Sequence, residues 1–330
     1  MLSSAVLHSK LLKIAPNSVS CSVLLSSLSY WKIGGPADFL VEPQSIKQLA
    51  EIRKLLNDYP EIPVLYIGDG SNLLFDDKGF RGVIVKLGNN LSRVEFDGSH
   101  VFCESGVWVP GLAYKSYRKG LTGLEHTCGI PGRLGGLIYM NGGSNRQSIS
   151  ENLESVILID RLGNIETIQA SNFDFSYRVS PFQSDEKIIA GAKLKLHQAD
   201  IATVRHNMRA ILATRRKKFP RKLPNCGSVF VSDPKMYEII GPPGFAIEKV
   251  GLKGLRKGNA QISPLHANFI VNLGGASSAD VLELINIVRQ EVYKKTDFWM
   301  DCEARYVSPL GEISQAHKKA FELWGENVRF

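Results

Sequence analysis

Apolar and polar positions alternate along this chain with two different periods, and the changes of period divide it into elements. Residues 37–41 read as a strand, after which Ser45 caps a helix whose apolar positions Ile46, Leu49, Ile52 and Leu56 recur at helical spacing. Short strands at 64–67 and 82–85 complete a β-α-β opening, with Gly68-Asp69-Gly70-Ser71-Asn72 between them. Strands are expected at 91–96 and 101–104. A helix then runs from Pro110, which suits a first turn, to Lys119, with Gly120 suited to its C-terminal end. Segments 154–160 and 164–168 pattern as a hairpin around Leu162-Gly163, and 188–196 as another strand.

A helix over 199–217 leads into a last region with strands near 228–231 and 267–272. There Ser277 and Asp280 open a helix in a capping-box arrangement, aspartate standing in for the usual glutamate, and the helix runs to Lys295. A strand over 298–307 would follow. Its apolar face takes Phe298, Met300, Cys302 and Ala304, which turns Glu303 and Arg305 to the other side. No internal repeat interrupts the pattern.

Composition narrows the class. At 330 residues the chain is too long for one small core, and its 44% apolar and 22% charged residues are ordinary for a globular protein. No apolar run has the length of a membrane span. The first residues are rich in Ser and Leu, but their apolar stretches are short and broken by Lys10 and Lys13. An ordered N-terminal extension is expected there rather than a targeting peptide. The five cysteines, Cys21, Cys103, Cys128, Cys226 and Cys302, are scattered with neither metal-ligand nor redox spacing. This points to a reducing compartment, the cytoplasm, and to no metal site. The net charge of +8 is concentrated in Arg215-Arg216-Lys217-Lys218 and Arg221-Lys222. Such a run suits an anionic partner or simply a solvated helix end, and no nucleic-acid-binding module accompanies it.

Two glycine loops carry the candidate chemistry. Gly68 to Asn72 lacks the three-glycine dinucleotide fingerprint, yet it offers closely approachable backbone, consecutive N–H groups, and donors from Ser71 and Asn72 that suit phosphate. Gly129-Ile130-Pro131-Gly132-Arg133-Leu134-Gly135-Gly136 concentrates four glycines in eight residues. That is an entropic cost which close packing against a planar cofactor or its pyrophosphate would explain. Ser228, Arg178 and Glu303, taken alone, read as a turn hydroxyl and two surface charges. His266 reads as a structural histidine, and Cys226 as a thiol with no sign of activation.

Taken in order, these segments resemble the UDP-N-acetylenolpyruvoylglucosamine reductases. The resemblance runs from about Trp31 to Val307 and is carried by Ile33-Gly34-Gly35-Pro36-Ala37, Gly68 to Leu74, Gly123-Leu124-Glu125, and Gly129 to Gly132 with Gly135-Gly136. It continues through Asn141, Tyr177-Arg178 with Ser180, Gly227-Ser228-Val229-Phe230, Gly251 to Gly254, His266 to Asn272, and Glu303. It implies an α+β protein with an FAD-binding fold of the vanillyl-alcohol-oxidase type. Two α/β subdomains, over 30–86 and 87–217, would follow an N-terminal extension over 1–29 and precede a C-terminal α+β substrate domain over 218–330. It implies non-covalent FAD, NADPH as reductant, and reduction of the enolpyruvyl group of a UDP-sugar to UDP-N-acetylmuramate for peptidoglycan synthesis.

By the same resemblance Ser228 is the proton donor, and Arg178 and Glu303 polarise and stabilise the enolic intermediate. Gly68, Gly70, Ser71, Asn72, Gly129, Ile130, Pro131, Gly132, Gly135, Gly136 and Asn141 would contact the cofactor. Tyr177, Lys218 and Asn225 would hold the substrate or its phosphates. No nucleic-acid or membrane partner is implied, and no oligomeric state.

Two segments depart from the family pattern. Val231-Ser232-Asp233-Pro234 replaces a shorter Lys-Asn-Pro, and Gly142-Gly143-Ser144-Asn145-Arg146 replaces Ala-Gly-Ala-Tyr-Gly. Asp233 would repel a nearby diphosphate unless compensated. A related reductase acting on another nucleotide sugar is the alternative these departures allow, and a flavin-binding protein without catalysis is a second.

Overall fold

The computed structural model describes residues 2–183 and 186–325. The chain clusters into two compact units, one of Met1–Cys21, Phe39–Asp69 and Gly82–Arg215, the other of Ser22–Asp38, Gly70–Arg81 and Arg216–Phe330. Most of the segments expected as flavin subdomains therefore belong to the first unit. The second takes the C-terminal region together with 22–38 and 70–81.

In the first unit the N-terminal extension begins as a helix, Leu2–Ile14. Its Leu7 and Leu11 are buried in one core with Leu49 and Ile52 of the helix Ile46–Asn57 and with Val83 and Val85. Ser45 caps the latter helix as expected, its Oγ accepting the Gln48 N–H at 3.1 Å. The strands Val64–Ile67 and Phe80–Lys86 pair in parallel at one edge of a four-stranded sheet. A five-stranded antiparallel sheet runs in the order Ile165–Gln169, Leu153–Ile159, Ile188–Lys195, His100–Glu104, Val94–Asp97. Val101 and Cys103 alternate inward, where they meet Leu112 of the helix Val109–Arg118 and Leu134 and Ile138 of the short helix Leu134–Tyr139. The expected hairpin closes as read: Asp160 Oδ1 accepts from the N–H groups of Leu162 and Asn164, at 2.8 and 2.9 Å. The strand expected from residue 91 starts only at Val94, because 89–91 wind into a 3-10 turn with Leu91 N–H on the Gly88 carbonyl.

The second unit is built on the helix Ser278–Thr296, whose Val281, Leu284, Ile285 and Val288 join Trp31, Phe230, Ile270 and Met300 in one core. The capping box forms with aspartate in the glutamate position: Ser277 Oγ accepts the Asp280 N–H at 3.1 Å, and Asp280 accepts the Ser277 N–H at 2.9 Å. The Asp77 carboxylate adds to it, accepting from Ser278 N–H at 2.8 Å and Ser278 Oγ at 2.7 Å. Trp31, fully buried, donates Nε1–H to the Ile270 carbonyl at 2.8 Å. Two small sheets flank this core, Arg256–Lys257, Ala260–Ile262, Ile270–Asn272 and Ile313–Gln315, Arg305–Val307, Leu73–Phe75.

Two expected strands are not regular. Of 228–231 only Phe230 makes a bridge, to Cys302, and of 298–307 only Arg305–Val307 is strand. Side chains supplement the few backbone bonds there, such as Val231 N–H to the Asp301 carbonyl at 2.9 Å. The Asn268 amide accepts from Phe230 N–H at 2.9 Å and donates to its carbonyl at 3.0 Å, while Cys302 N–H goes to His317 Nδ1 at 2.9 Å. The inward alternation holds nonetheless, with Met300, Cys302 and Ala304 at most 1% exposed. The helices Pro234–Ile239, Pro243–Lys249 and Ala316–Trp324 complete the unit. Among the described residues no helix is long and apolar enough to cross a membrane.

The double cap on Ser278–Thr296 has a measurable consequence. Asp77→Ala removes a carboxylate that satisfies two donors at a helix N-terminus, and should lower the unfolding free energy by about 1–2 kcal/mol. Urea unfolding followed by circular dichroism tests this, and an unchanged midpoint would mean the Ser277–Asp280 box suffices.

Candidate active site

The first glycine loop is a bend with open donors. Gly70 holds φ +60°, and a Cβ there would stand 2.8 Å from the Leu28 carbonyl oxygen, so the turn is restricted to glycine. Among the described residues no carbonyl accepts the N–H groups of Asp69, Gly70 or Ser71, a run of backbone donors, buried at Gly70 and half-buried on either side, suited to an anion. The second loop runs from Gly129 to Arg133 and then enters the helix Leu134–Tyr139, so Gly135 and Gly136 are helical rather than loop residues. Gly135 brings that helix close to Ser105, and the Arg215 side chain lies over Gly129, 2.4 Å from where a Cβ would stand. Part of the basic run is thereby accounted for structurally.

Arg133 joins the two loops. Its Nε donates to Asp69 Oδ1 at 2.7 Å, and its Nη1 to Asn89 Oδ1 and the Gly106 carbonyl, both at 2.8 Å. Both members of the ion pair are largely shielded, at 13% and 15% side-chain exposure. Sequence reading passed over Arg133 and Asp69, since neither residue type is diagnostic in a loop; only their meeting in space gives them a role. Open backbone donors, a shielded arginine and glycine-limited turns suit the diphosphate of FAD, and these residues fit that cofactor.

Arg178, also in the first unit, sits at the tip of a tight turn in which Ser176 and Val179 exchange both backbone hydrogen bonds at 3.1 Å. Its φ is +61°, uncommon for a residue with a side chain. The guanidinium lies over the Tyr177 ring, 5.1 Å from its centroid, and donates through Nη2 to the Gly143 carbonyl at 3.3 Å. Tyr177 is 55% exposed at the tip of this turn. Asn141, by contrast, is buried.

Ser228 and Glu303 lie in the second unit on adjoining backbone, Glu303 N–H donating to the Val229 carbonyl at 2.8 Å. Asn72 Nδ2 donates to the Glu303 carbonyl at 3.0 Å, so Asn72 is engaged with a catalytic candidate's backbone. Gly227, at φ +88° with open space where a Cβ would be, directly precedes Ser228. Asn225 folds its own loop: Nδ2 donates to the Pro220 and Leu223 carbonyls, and Oδ1 accepts the Gly227 N–H at 2.9 Å. Lys217 and Lys218 are exposed at the end of the helix Ile201–Lys218, where cations favour the helix dipole. Asp233 caps the helix Pro234–Ile239 by accepting the Lys235 N–H at 2.9 Å.

Burial silences the other candidates. It pushes the Cys226 thiol well above its usual range, with Glu303 and Cys302 adding to the effect, so Cys226 is no nucleophile. His266 packs edge-on against Phe219 and Phe269, and its Nδ1 accepts the Asn268 N–H at 3.2 Å. Burial lowers its pKa, and it remains a neutral structural histidine.

Donor-lined glycine loops on this mixed α+β frame agree with a flavin-dependent oxidoreductase of the vanillyl-alcohol-oxidase type, the class that the family models show. Residues 37–169 match the FAD binding domain family model, and residues 219–307 match that of the UDP-N-acetylenolpyruvoylglucosamine reductase C-terminal domain. UDP-N-acetylenolpyruvoylglucosamine reductase 1 of Corynebacterium glutamicum is 45% identical over 302 residues, covering 92% of this chain and 90% of that one. The Bacillus subtilis reductase is 38% identical over 284 residues, covering 86% and 92%. The crystal structure of the Thermus caldophilus reductase superposes with a TM-score of 0.72 at 30% identity, covering 86% of this chain and 97% of that one. The chain belongs to the UDP-N-acetylenolpyruvoylglucosamine reductase family.

One histidine, unremarked in the sequence, anchors the Glu303 segment. His317 Nδ1 accepts the Cys302 N–H, and Nε2 faces the Asp301 carboxylate at 3.3 Å. Burial, aided by Arg289, Lys318 and Arg305 and opposed by Asp301, lowers its pKa from 6.5 to about 4. The folded pKa lies below the unfolded one, so the unfolded chain binds more protons. The stabilisation is therefore complete above about pH 6.5 and lost as pH falls towards 4. The wild-type denaturation midpoint should drop between pH 7 and pH 4.5, and His317→Asn should flatten that drop. An equal slope in the variant would assign the acid sensitivity to other groups.

Proposed function

We propose that this chain catalyses the NADPH-dependent, FAD-mediated reduction of UDP-N-acetylglucosamine enolpyruvate to UDP-N-acetylmuramate, in the cytoplasm, for peptidoglycan synthesis. Family membership supports the reaction. The structural observation that carries it is the backbone junction of Ser228 and Glu303, fixed by the Glu303–Val229 hydrogen bond and by Asn72. The five free thiols agree with a reducing compartment.

Bound FAD supplies the two-electron carrier that side chains cannot provide. The first unit holds it non-covalently, through the backbone N–H of Asp69 and the loop from Gly129 to Gly132. In the second unit Ser228 delivers a proton to the carbon beside the one that receives hydride. Arg178 stabilises the charge that develops on the enolpyruvyl carboxylate, and Glu303 polarises the enolic system. Tyr177 and Lys218 hold the UDP-sugar. Asn225 supports Ser228 by fixing Gly227 ahead of it.

Stopped-flow absorbance on Ser228→Ala tests the assignment. Bleaching of the flavin by NADPH needs no proton from Ser228 and should keep its wild-type rate. Recovery of the absorbance on adding enolpyruvyl substrate should slow roughly 10²- to 10⁴-fold, the usual cost of removing a positioned acid. Equal slowing of both phases would make Ser228 structural, and no slowing would remove it from the mechanism.

A further inference from the structure

The resemblance puts Asn141 among the flavin contacts, but both ends of its side chain are engaged within the protein. It is 3% exposed, at φ +41°. Its Nδ2 donates to the Ser176 carbonyl at 2.8 Å, and its Oδ1 accepts the Ser150 N–H at 3.3 Å. Ser176 is the base of the two-residue turn that carries Tyr177 and Arg178. The segment following Asn141 reaches the same turn from the other side, since the Gly143 carbonyl accepts from Arg178 Nη2. That segment folds so tightly that a Cβ on Gly143 would stand 1.8 Å from the Gln147 carbonyl oxygen. Gln183 Nε2 adds a third tie, donating to the Arg178 and Tyr139 carbonyls, both at 3.0 Å.

We infer that Asn141 is a positioning residue for Arg178, clamping the turn that presents the guanidinium rather than contacting the cofactor. The physical reason lies in the backbone of Arg178. A left-handed conformation at a residue with a side chain persists only when its surroundings over-determine it. The Asn141 amide supplies the constraint at the Ser176 end, and the Gly143 carbonyl fixes the guanidinium. Gly143 keeps the glycine of the family pattern, and with it the chain doubles back and turns a carbonyl towards Arg178.

The inference rests on the catalytic reading of Arg178, and the experiment separates the two. Asn141→Gly tolerates the positive φ and removes the side chain with its amide. The purified variant should retain full flavin content, an unaltered visible spectrum and wild-type bleaching by NADPH. Reoxidation by the enolpyruvyl substrate should slow roughly 10- to 100-fold, as misplacement of a positioning group does. In an Arg178→Ala background the same change should have no further effect, because the two act through one group. Loss of flavin, or equal slowing of both phases, would return Asn141 to the cofactor site and overturn the inference. Full additivity with Arg178→Ala would overturn it as well. If Arg178→Ala alone leaves reoxidation untouched, the catalytic reading of Arg178 fails and the inference falls with it. Asn141→Asp keeps the shape and the Ser150 bond but cannot donate to Ser176. It should give the same pattern of half-reactions if glycine loosens the loop.

Discussion

The ion pair between Arg133 and Asp69 is the contact that braces the proposed cofactor site of the first unit. A glycine loop is entropically costly to hold in one shape, and the two loops here are about sixty residues apart in sequence, at 68–72 and 129–133. One guanidinium ties them, and its second arm is anchored on Asn89 and the Gly106 carbonyl. Taking two charges out of water is expensive, and such a pair contributes only when its geometry is good and its remaining donors are satisfied. Here Nε meets the carboxylate at 2.7 Å and Nη1 has two further acceptors. The pair also neutralises its own charge, which leaves backbone N–H groups, not a free cation, to meet an anionic cofactor.

The second unit solves a similar problem with amides. Ser228 and Glu303 lie on segments that are not regular strands, so no continuous ladder fixes them. The Asn268 side chain imitates a neighbouring strand to Phe230, and Asn72 holds the Glu303 carbonyl. Asn272 Nδ2 donates to the Trp31 carbonyl at 2.9 Å, while its Oδ1 accepts from Gly274 and Ala276. Buried polar networks of this kind rigidify when satisfied and cost heavily when broken. Three asparagines, two of them in the His266–Asn272 motif, thus serve to hold backbone, whatever else they touch.

Periodicity made the long elements legible. The helices Ile46–Asn57 and Ser278–Thr296, their caps, the 153–169 hairpin and the inward alternation of 300–304 could all be read, because each follows from local spacing and capping chemistry. The irregularity of 228–231 and 298–304 could not, since it arises from side-chain amides and His317 brought in from distant sequence. The short helices after Pro234 and Pro243 carry too few residues for a period to register. At the candidate site, the glycine loops and the proposed roles of Ser228, Arg178 and Glu303 came from ordered motifs. Arg133, Asp69 and His317 were not, because arginine, aspartate and histidine signal nothing until their partners are known.

The central claim is that Gly68-Asp69 and the loop from Gly129 to Arg133, braced by one shielded ion pair, form the proposed cofactor site of the first unit. Titration of apoprotein with FAD, followed by quenching of flavin fluorescence, tests it most directly when wild type is set beside Arg133→Met. The account predicts a dissociation constant raised at least roughly tenfold, the equivalent of one lost charge-assisted hydrogen bond, with an unchanged far-ultraviolet circular dichroism spectrum. Wild-type affinity in the Arg133→Met protein would contradict it.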